Sequence, residues 1–275
     1  MKLKFLGTGA SEGIPAPFCR CPVCENARKT LGKEVRLRTG VLVDDAVLID
    51  FSPDSMVQAL YNQVDYSGLQ ALLITHTHSD HFALDDLIQR SECNARNRTR
   101  PVLSICGSRQ AIQRVKDALH DESAAQSVSL HSLQSGETAQ VGDYRVTALK
   151  TTHMESEDSF IYIITYDGKS YLHAVDSAEL TEDTLTYLKQ SKTRFDAVSL
   201  DCTFGLLKEE YYGHMNLRQN ARVRQKLMDI GAADANTRFF LTHISHYAEN
   251  THRQLEHEAE PLGFAVAFDG LQVDL

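Results

Sequence analysis

The stretch THTHSDH at residues 75–81 directly follows the apolar run LQALLI at residues 69–74. A short apolar run that ends in a polar turn predicts a buried β-strand. Two imidazoles spaced two residues apart at a strand end can turn toward one cation, and the Asp-His pair that follows can reach a second. Imidazole and carboxylate together suit zinc, iron or manganese rather than calcium. A histidine-rich polar loop is the alternative, but it does not account for the apolar strand. The candidate ligands are His76, His78, Asp80 and His81.

The segments around this motif predict strands interleaved with helices, and this pattern favours sheets covered by helices, an α/β or α+β fold, over a β-sandwich. Strand patterns occur at KLKFLG, TGVLVD, AVLID, PVLSIC, SVSLHSL, YRVTALK, SFIYIITY, KSYLHAVD, FDAVSLD, RFFLTH and LQVDL, and helical patterns at DSMVQALYNQ, ALDDLIQR, RQAIQRVKDAL, TEDTLTYLKQ, residues 217–230 and NTHRQLEHEAE.

Composition and charge narrow the class of protein. The chain has 275 residues, of which 42% are hydrophobic and 24% charged, as in an ordinary globular protein. Its formal charge of −9 makes a polynucleotide partner unfavourable. Residues 1–15 lack the apolar core of a signal peptide, and no apolar run is long enough to span a membrane. Because the six cysteines do not suggest a disulfide framework, we predict a cytoplasmic protein.

The H-x-H-x-D-H motif resembles the signature of the metallo-β-lactamase superfamily, whose further ligands follow later strands. The resemblance spans nearly the whole chain and implies a four-layer αββα sandwich, with residues 1–275 as one domain. It assigns His76, His78 and His153 to one divalent metal, and Asp80, His81 and His243 to another. Asp176 would bridge the two metals, and Asp50 would orient the ligand loop from behind the ligands. A turn-forming or capping aspartate is the alternative for Asp50.

A possible phosphate-binding residue lies in GHMNLRQNARVRQKL. Asn216 and Gln219 resemble a capping box and Gly231 closes the predicted helix, so His214 lies just before a helix N-terminus. Such a position favours an anion, and a protonated imidazole there can bind a phosphoryl oxygen or protonate a leaving alkoxide. An exposed loop histidine is the alternative, but phosphodiesterases of the same superfamily carry a histidine in a similar place. His214 and Asp80 are therefore the candidate catalytic residues.

The sequence FCRCPVC brings Cys19, Cys21 and Cys24 within six residues. With His246 in LTHISHY as fourth ligand they would form a closed Cys₃His zinc site, carried by a loop over about residues 15–30. A thioredoxin-like redox pair and an uncommitted surface loop are the alternatives. The cysteine loop, a GTGxxxGxP start and the terminal LTHISH resemble the PhnP-type phosphodiesterase subgroup, which hydrolyses cyclic phosphates of ribose with manganese or zinc.

Two smaller sequence patterns involve glycines and the remaining histidines. The glycines of FLGTGASEGIP do not match a dinucleotide fingerprint, because no βαβ unit follows, and we expect a flexible turn near the metal site. The remaining histidines predict no chemistry. His120, His131, His252 and His257 fit solvated surface positions, whereas His173 fits a packed one.

These patterns favour a dinuclear hydrolase with two active-site metals, zinc or manganese, and one structural zinc. The expected reaction is attack on a small or cyclic phosphate ester by a hydroxide shared between the two cations. A thioester or lactone hydrolase of the same fold is one alternative, and a non-hydrolytic PqqB-like cofactor-biosynthesis protein is another. A homodimer is compatible with the sequence.

Overall fold

Two seven-stranded sheets pack face to face in the computed structural model, which describes residues 1–90, 94–96, 101–120 and 122–275. Cys93 lies outside the described residues. The first sheet contains β1 (Lys2–Gly7), β2 (Gly40–Val43), β3 (Val47–Ile49), β4 (Ala71–Leu73), β5 (Leu103–Gly107), β6 (Val128–Ser132) and β14 (Gln272–Asp274), in the order β14-β1-β2-β3-β4-β5-β6. The second contains β7 (Thr138–Val141), β8 (Tyr144–Lys150), β9 (Phe160–Tyr166), β10 (Lys169–Ala174), β11 (Ala197–Asp201), β12 (Arg238–Thr242) and β13 (Phe264–Val266), in the order β13-β12-β11-β10-β9-β8-β7.

Alternating strand residues divide the interior into three apolar layers. The middle layer lies between the two sheets, where the rings of Phe5 and Phe240 are 5.4 Å apart. Tyr162 is fully buried there and donates its hydroxyl to the carbonyl of Ile74 at 2.6 Å, which ties the second sheet to the strand end before the histidine motif. Each such buried side chain stabilises the fold by about 1.5–3 kcal/mol. The outer layers are covered by helices, and the predicted αββα sandwich is confirmed.

Eight α-helices occur in the described residues: α1 (Pro22–Thr30), α2 (Ser55–Asn62), α3 (Leu84–Leu87), α4 (Arg109–Ala118), α5 (Glu122–Gln126), α6 (Glu182–Ser191), α7 (Leu217–Asp229) and α8 (His252–Ala259). The capping box predicted for α7 is present, because the side chains of Asn216 and Gln219 each accept from the other's backbone N–H. The segment predicted as a cysteine loop is only partly a loop, because from Pro22 onward it forms helix α1. Proline is favourable at the first position of a helix. In the part of the chain that the structure describes, no helix has the length and apolar character needed to cross a membrane.

Parallel pairing places several strand ends at one edge of the sandwich. Strands β3, β4 and β5 run parallel in the first sheet, as do β10, β11, β12 and β13 in the second. The carboxyl ends of parallel strands meet at the same edge of a sheet, which is where open α/β sheets bind ligands. Six of the seven predicted metal ligands follow β4, β10 or β12. His153 follows β8, which runs antiparallel to β9 and therefore in the same direction as β10.

Candidate metal centre

Three residues at strand ends adopt a left-handed backbone. Asp50, Asp176 and His243 follow β3, β10 and β12 with φ values of 62°, 54° and 58°. A positive φ is uncommon for residues other than glycine and costs free energy, so it persists where the surrounding structure imposes it and is concentrated at functional sites. All three side chains are buried and belong to the predicted centre.

The first donor cluster contains three histidines and one carboxylate. His78 Nδ1 lies 2.8 Å from His76 Nε2 and 3.3 Å from His153 Nε2. Asp176 Oδ2 lies 3.2 Å from His76 Nε2 and 3.4 Å from His153 Nε2. Donors bound to one tetrahedral zinc at about 2.0–2.1 Å are about 3.4 Å apart. The four side chains are therefore spaced to hold one cation.

The second donor cluster shares Asp176 with the first. His81 Nε2 lies 2.9 Å from Asp176 Oδ2 and 3.2 Å from Asp80 Oδ2. His243 Nε2 lies 3.8 Å from Asp176 Oδ2 and 3.9 Å from Asp80 Oδ2. The structure thus brings together all seven predicted ligands, with Asp176 between the clusters, as the resemblance implied. Their metal-binding role stays a prediction.

Hydrogen bonds behind the ligands orient their rings. Asp50 accepts from His81 Nδ1 at 2.7 Å and from the backbone N–H of Thr75 at 2.9 Å. Thr203 Oγ1 lies 2.8 Å from His243 Nδ1, and the Gly213 carbonyl lies 3.3 Å from His153 Nδ1. Because each Nδ1 is engaged, Nε2 of the same ring is left to face the centre. Asp50 lies where its predicted orienting role requires.

Buried polar atoms without partners test whether these residues fit a metal. His81 Nε2 and His243 Nε2 are buried without a hydrogen-bond partner among the described residues. Leaving such groups unpaired costs about 1–3 kcal/mol each. A cation between them would satisfy the nitrogens and compensate the clustered charge, so the donor set fits divalent metals.

The carboxylates and imidazoles of the centre perturb one another's proton affinity. Burial would raise the pKa of Asp80, but His81 and His243 hold it far below its usual value. Burial lowers the pKa of His243, but Asp176 and Asp201 more than reverse this and raise it to about 9. Burial lowers the pKa of His153 to about 4, although Asp176 opposes the shift. Because a histidine must be deprotonated to bind a metal, cation binding at His243 releases a proton.

Asp201 is a site residue that the sequence analysis missed. It ends β11, is fully buried, and places Oδ2 3.0 Å from His214 Nδ1 and 3.3 Å from His243 Nδ1. His214 Nδ1 also lies 3.0 Å from Asp176 Oδ1. Burial lowers the pKa of His214, but the two carboxylates outweigh it and raise the pKa to about 10. His214 is therefore a cation at neutral pH, beside both donor clusters. The sequence could have indicated Asp201, because it ends the apolar strand pattern FDAVSLD just as Asp176 ends KSYLHAVD.

Glu157 was missed as well. It is buried in the segment between β8 and β9 that also carries His153, and it accepts from the backbone N–H of Thr77 at 2.6 Å and from the Thr77 hydroxyl at 2.9 Å. Thr77 lies between His76 and His78. Glu157 therefore ties the two segments that supply the first donor cluster. The polar run MESED around it offered no pattern from which to predict this.

The predicted cysteine site also assembles. The Sγ atoms of Cys19 and Cys21 each lie 3.5 Å from His246 Nδ1, and Cys24 completes a group whose ligand atoms all lie within 4.8 Å of one another. All three cysteines are free of disulfides. The backbone N–H of Ala16 donates to Cys24 Sγ at 3.3 Å, an outer contact typical of thiolate ligands. The arrangement suits a Cys₃His zinc site, which remains a prediction.

One surface assignment was wrong. His252 is only 5% exposed, because the first turn of α8 packs on Arg36, whose Nη2 donates to His252 Nδ1 at 2.8 Å. Burial and Arg36 lower the pKa of His252 to about 4. His173 is packed, as expected. The glycine-rich turn lies beside the metal centre, since Ala10, Ser11 and Glu12 line the same cavity as the ligands.

Comparison with known proteins agrees with this fold. The chain is 27% identical over 284 aligned positions to an octanoyltransferase of Porphyromonas gingivalis; the match covers 99% of this chain, which spans only about half (51%) of that protein. A diphosphatase of the PhnP family has a similar structure (TM-score 0.76, 24% identity, 100% of this chain and 97% of the other). Zinc-bound PqqB from Methylobacterium extorquens is similar too (TM-score 0.73, 20% identity, 100% of both chains). At these identities, the two structures show the fold alone.

A family model described as the beta-lactamase superfamily domain matches residues 45–244, more than two thirds of the chain. The match begins before the histidine motif and ends just after His243, so it includes both donor clusters. This family and its fold imply divalent metal binding and support a metal-dependent hydrolase. The chain belongs to the metallo-β-lactamase superfamily.

Proposed function

We propose that the protein is a dinuclear metal-dependent phosphodiesterase that acts on small or cyclic phosphate esters, such as a ribose cyclic phosphate. The main observation in support of the proposal is the position and the positive charge of His214. This histidine lines the same cavity, of about 290 Å³, as ligands from both donor clusters, and its two carboxylate neighbours keep it cationic. A fixed cation beside a metal pair suits a phosphoryl group, whose charge must be neutralised during the reaction.

The residues of the chain supply binding and proton transfer. Bound divalent cations would provide an activated water nucleophile and stabilise the developing negative charge. Asp176 and Asp201 engage Nδ1 of His214, which leaves its Nε2 for the substrate. From there Nε2–H can donate to a phosphoryl oxygen, or to the leaving alkoxide as the ester bond breaks. Asp80 contributes as a ligand of the second cluster.

The remaining assignments belong to this proposal. Zinc and manganese both accept the imidazole and carboxylate donors of the active site. A third ion, zinc, would occupy the cysteine site. We propose one domain over residues 1–275 and a small phosphate ester rather than a polynucleotide as substrate. A cytoplasmic location and a homodimer remain expectations from the sequence.

A second candidate is an acyl-ester or thioester hydrolase. The similarity to an octanoyltransferase, a protein named for acyl transfer, favours this candidate. The likeness to PqqB concerns the fold alone. Neither comparison explains why a cationic His214 adjoins the two donor clusters, since a neutral acyl substrate carries no charge for it to bind.

A substrate screen with a matched pair of variants tests the proposal. We expect wild-type protein loaded with zinc or manganese to hydrolyse cyclic and linear phosphodiesters faster than a lactone or a thioester. His214→Ala should lose most turnover of bis(p-nitrophenyl) phosphate while keeping its metals, whereas His120→Ala, at an exposed position, should behave as wild type. Faster turnover of the thioester or lactone by the wild type, or full phosphodiesterase activity in His214→Ala, would contradict the proposal.

A further inference from the structure

The acidic side chain of Glu12 lines the metal cavity without belonging to either donor cluster. It lies in the turn that runs from Ala10 to Gly13, closed by a hydrogen bond from the Gly13 N–H to the Ala10 carbonyl at 3.0 Å. Gly13 has a φ of 65°, which glycine adopts without strain. The turn therefore fixes one further carboxylate at the wall of the cavity.

Two neighbours hold one oxygen of this carboxylate. Glu12 Oε1 accepts from the hydroxyl of Ser245 and lies 3.7 Å from His246 Nε2. Both residues follow His243 on the loop after β12, and His246 turns its other nitrogen to the cysteine site. The side chain of Glu12 is thus oriented from behind by the loop that carries a proposed ligand.

The second oxygen has capacity for a ligand. Glu12 Oε2 accepts from the Ser11 hydroxyl at 3.2 Å, and the side chain remains 22% exposed. A carboxylate offers about four lone-pair positions, so Oε2 can accept a further hydrogen bond. A hydroxyl group is the donor that a phosphate ester of a polyol or sugar would bring to this wall.

The charge of the residues that line the cavity also bears on the substrate that Glu12 would favour. Among the described residues that line the cavity there is no lysine or arginine. The carboxylate of Glu12 therefore places a negative charge at this wall that no lysine or arginine of the lining offsets. Coulomb repulsion from this carboxylate disfavours a second negative charge on a substrate phosphate beside it.

The geometry points to Glu12 as a specificity-determining residue that accepts a hydrogen bond from a hydroxyl of the substrate's alcohol group and disfavours dianionic phosphates. This inference rests on the proposed phosphodiesterase function. It restricts the substrate class to singly charged esters of hydroxyl-rich alcohols. Tyr247, 65% exposed and stacked on His246 at 4.6 Å, lies at the same wall and can pack against the carbon face of such an alcohol.

Three p-nitrophenyl esters test the inference. Glyceryl p-nitrophenyl phosphate and propyl p-nitrophenyl phosphate carry the same charge and differ in hydroxyl groups, whereas p-nitrophenyl phosphate is the dianionic probe. The measured quantity is the ratio of kcat/KM for hydrolysis of the glyceryl and propyl esters. Product analysis separates hydrolysis from intramolecular attack of the glyceryl hydroxyl, which also releases p-nitrophenol but leaves a cyclic phosphate. A hydrogen bond to a charged acceptor predicts a wild-type ratio of roughly 10 to 150.

Two variants and a control separate the roles of Glu12. In Glu12→Ala we expect the ratio to fall close to 1. In Glu12→Gln, which keeps an acceptor of the same shape, we expect an intermediate ratio and a rise in the relative turnover of p-nitrophenyl phosphate. Glu25→Ala removes a partly exposed carboxylate, ion-paired with Arg28, that does not line the metal cavity, and it should keep the wild-type ratio. Metal content and melting temperature of each variant show whether the cysteine site is intact, and Glu12→Gln carries the test if Glu12→Ala does not fold.

The outcomes distinguish this inference from the proposed function. A glyceryl-to-propyl ratio that is equally high in the wild type and both Glu12 variants, or near 1 in the wild type, would overturn the role of Glu12 alone. No turnover of any of the three esters by metal-loaded wild type would refute the phosphodiesterase function, and the inference with it.

Discussion

Replacing Asp201 by asparagine should weaken catalysis through His214. The Asp201 carboxylate is fully buried and accepts from His214 Nδ1 at 3.0 Å, which helps raise the pKa of that histidine to about 10. Hydrogen bonds to charged groups contribute about 1.5–3 kcal/mol. Each 1.36 kcal/mol corresponds to a factor of ten in rate. If the hydrogen bond between Asp201 and His214 stabilises only the transition state, kcat/KM should therefore fall about 10- to 150-fold.

Two substrates and a control variant show whether the loss acts through proton donation. A cyclic ribose phosphate has an alkoxide leaving group that needs a proton, whereas p-nitrophenolate leaves without one. The loss should therefore be larger on the cyclic phosphate than on bis(p-nitrophenyl) phosphate. Asp196→Asn changes the carboxylate just before the same strand, where it binds Lys169 and Ser170, and should leave both rates near wild type. Metal content must be matched, because Asp201 also lies 3.3 Å from His243 Nδ1. Equal losses on both substrates, or no loss, would refute the reasoning.

Three further perturbations probe the metal sites. Glu157→Gln removes the charged acceptor that holds Thr77 and should weaken one metal about 10- to 100-fold in competition with a chelator; unchanged affinity would remove Glu157 from the positioning of His76 and His78. Cys21→Ser should lose the most tightly held zinc and lower the melting temperature, because binding of structural zinc is coupled to folding; wild-type melting would contradict a structural zinc site. Metal affinity at the second cluster should fall as pH falls below about 9, because the raised pKa of His243 makes protons compete for Nε2, and a pH-independent affinity in metal titrations would contradict this.

The fold and the donor clusters were predictable because each rests on a local pattern. An apolar strand followed by histidine or aspartate recurs at the ends of β4, β10 and β12. Parallel pairing aligns the strand ends within each sheet, and the packing of the two sheets brings the two sets of ends together. The short strands β7 and β13 were not predicted, although β3, β4 and β14, which are as short, were.

Contacts between distant segments were not predictable in the same way. Glu157 and His252 act through partners that only the folded chain brings near, Thr77 and Arg36 respectively. A surface pattern on α8 wrongly suggested that His252 is solvated, because helical periodicity does not reveal which neighbour covers the first turn. Asp201 could have been found, since it repeats the pattern of a carboxylate at a strand end.

The number of metals bound by each chain tests the central claim most directly. Metal analysis of gently purified protein by inductively coupled plasma mass spectrometry should give about three divalent ions per chain, two for the centre that shares Asp176 and one for the cysteine site. His76→Ala should lower the count, and Cys21→Ser should lower it by the structural zinc alone. One metal or fewer per wild-type chain would contradict the account.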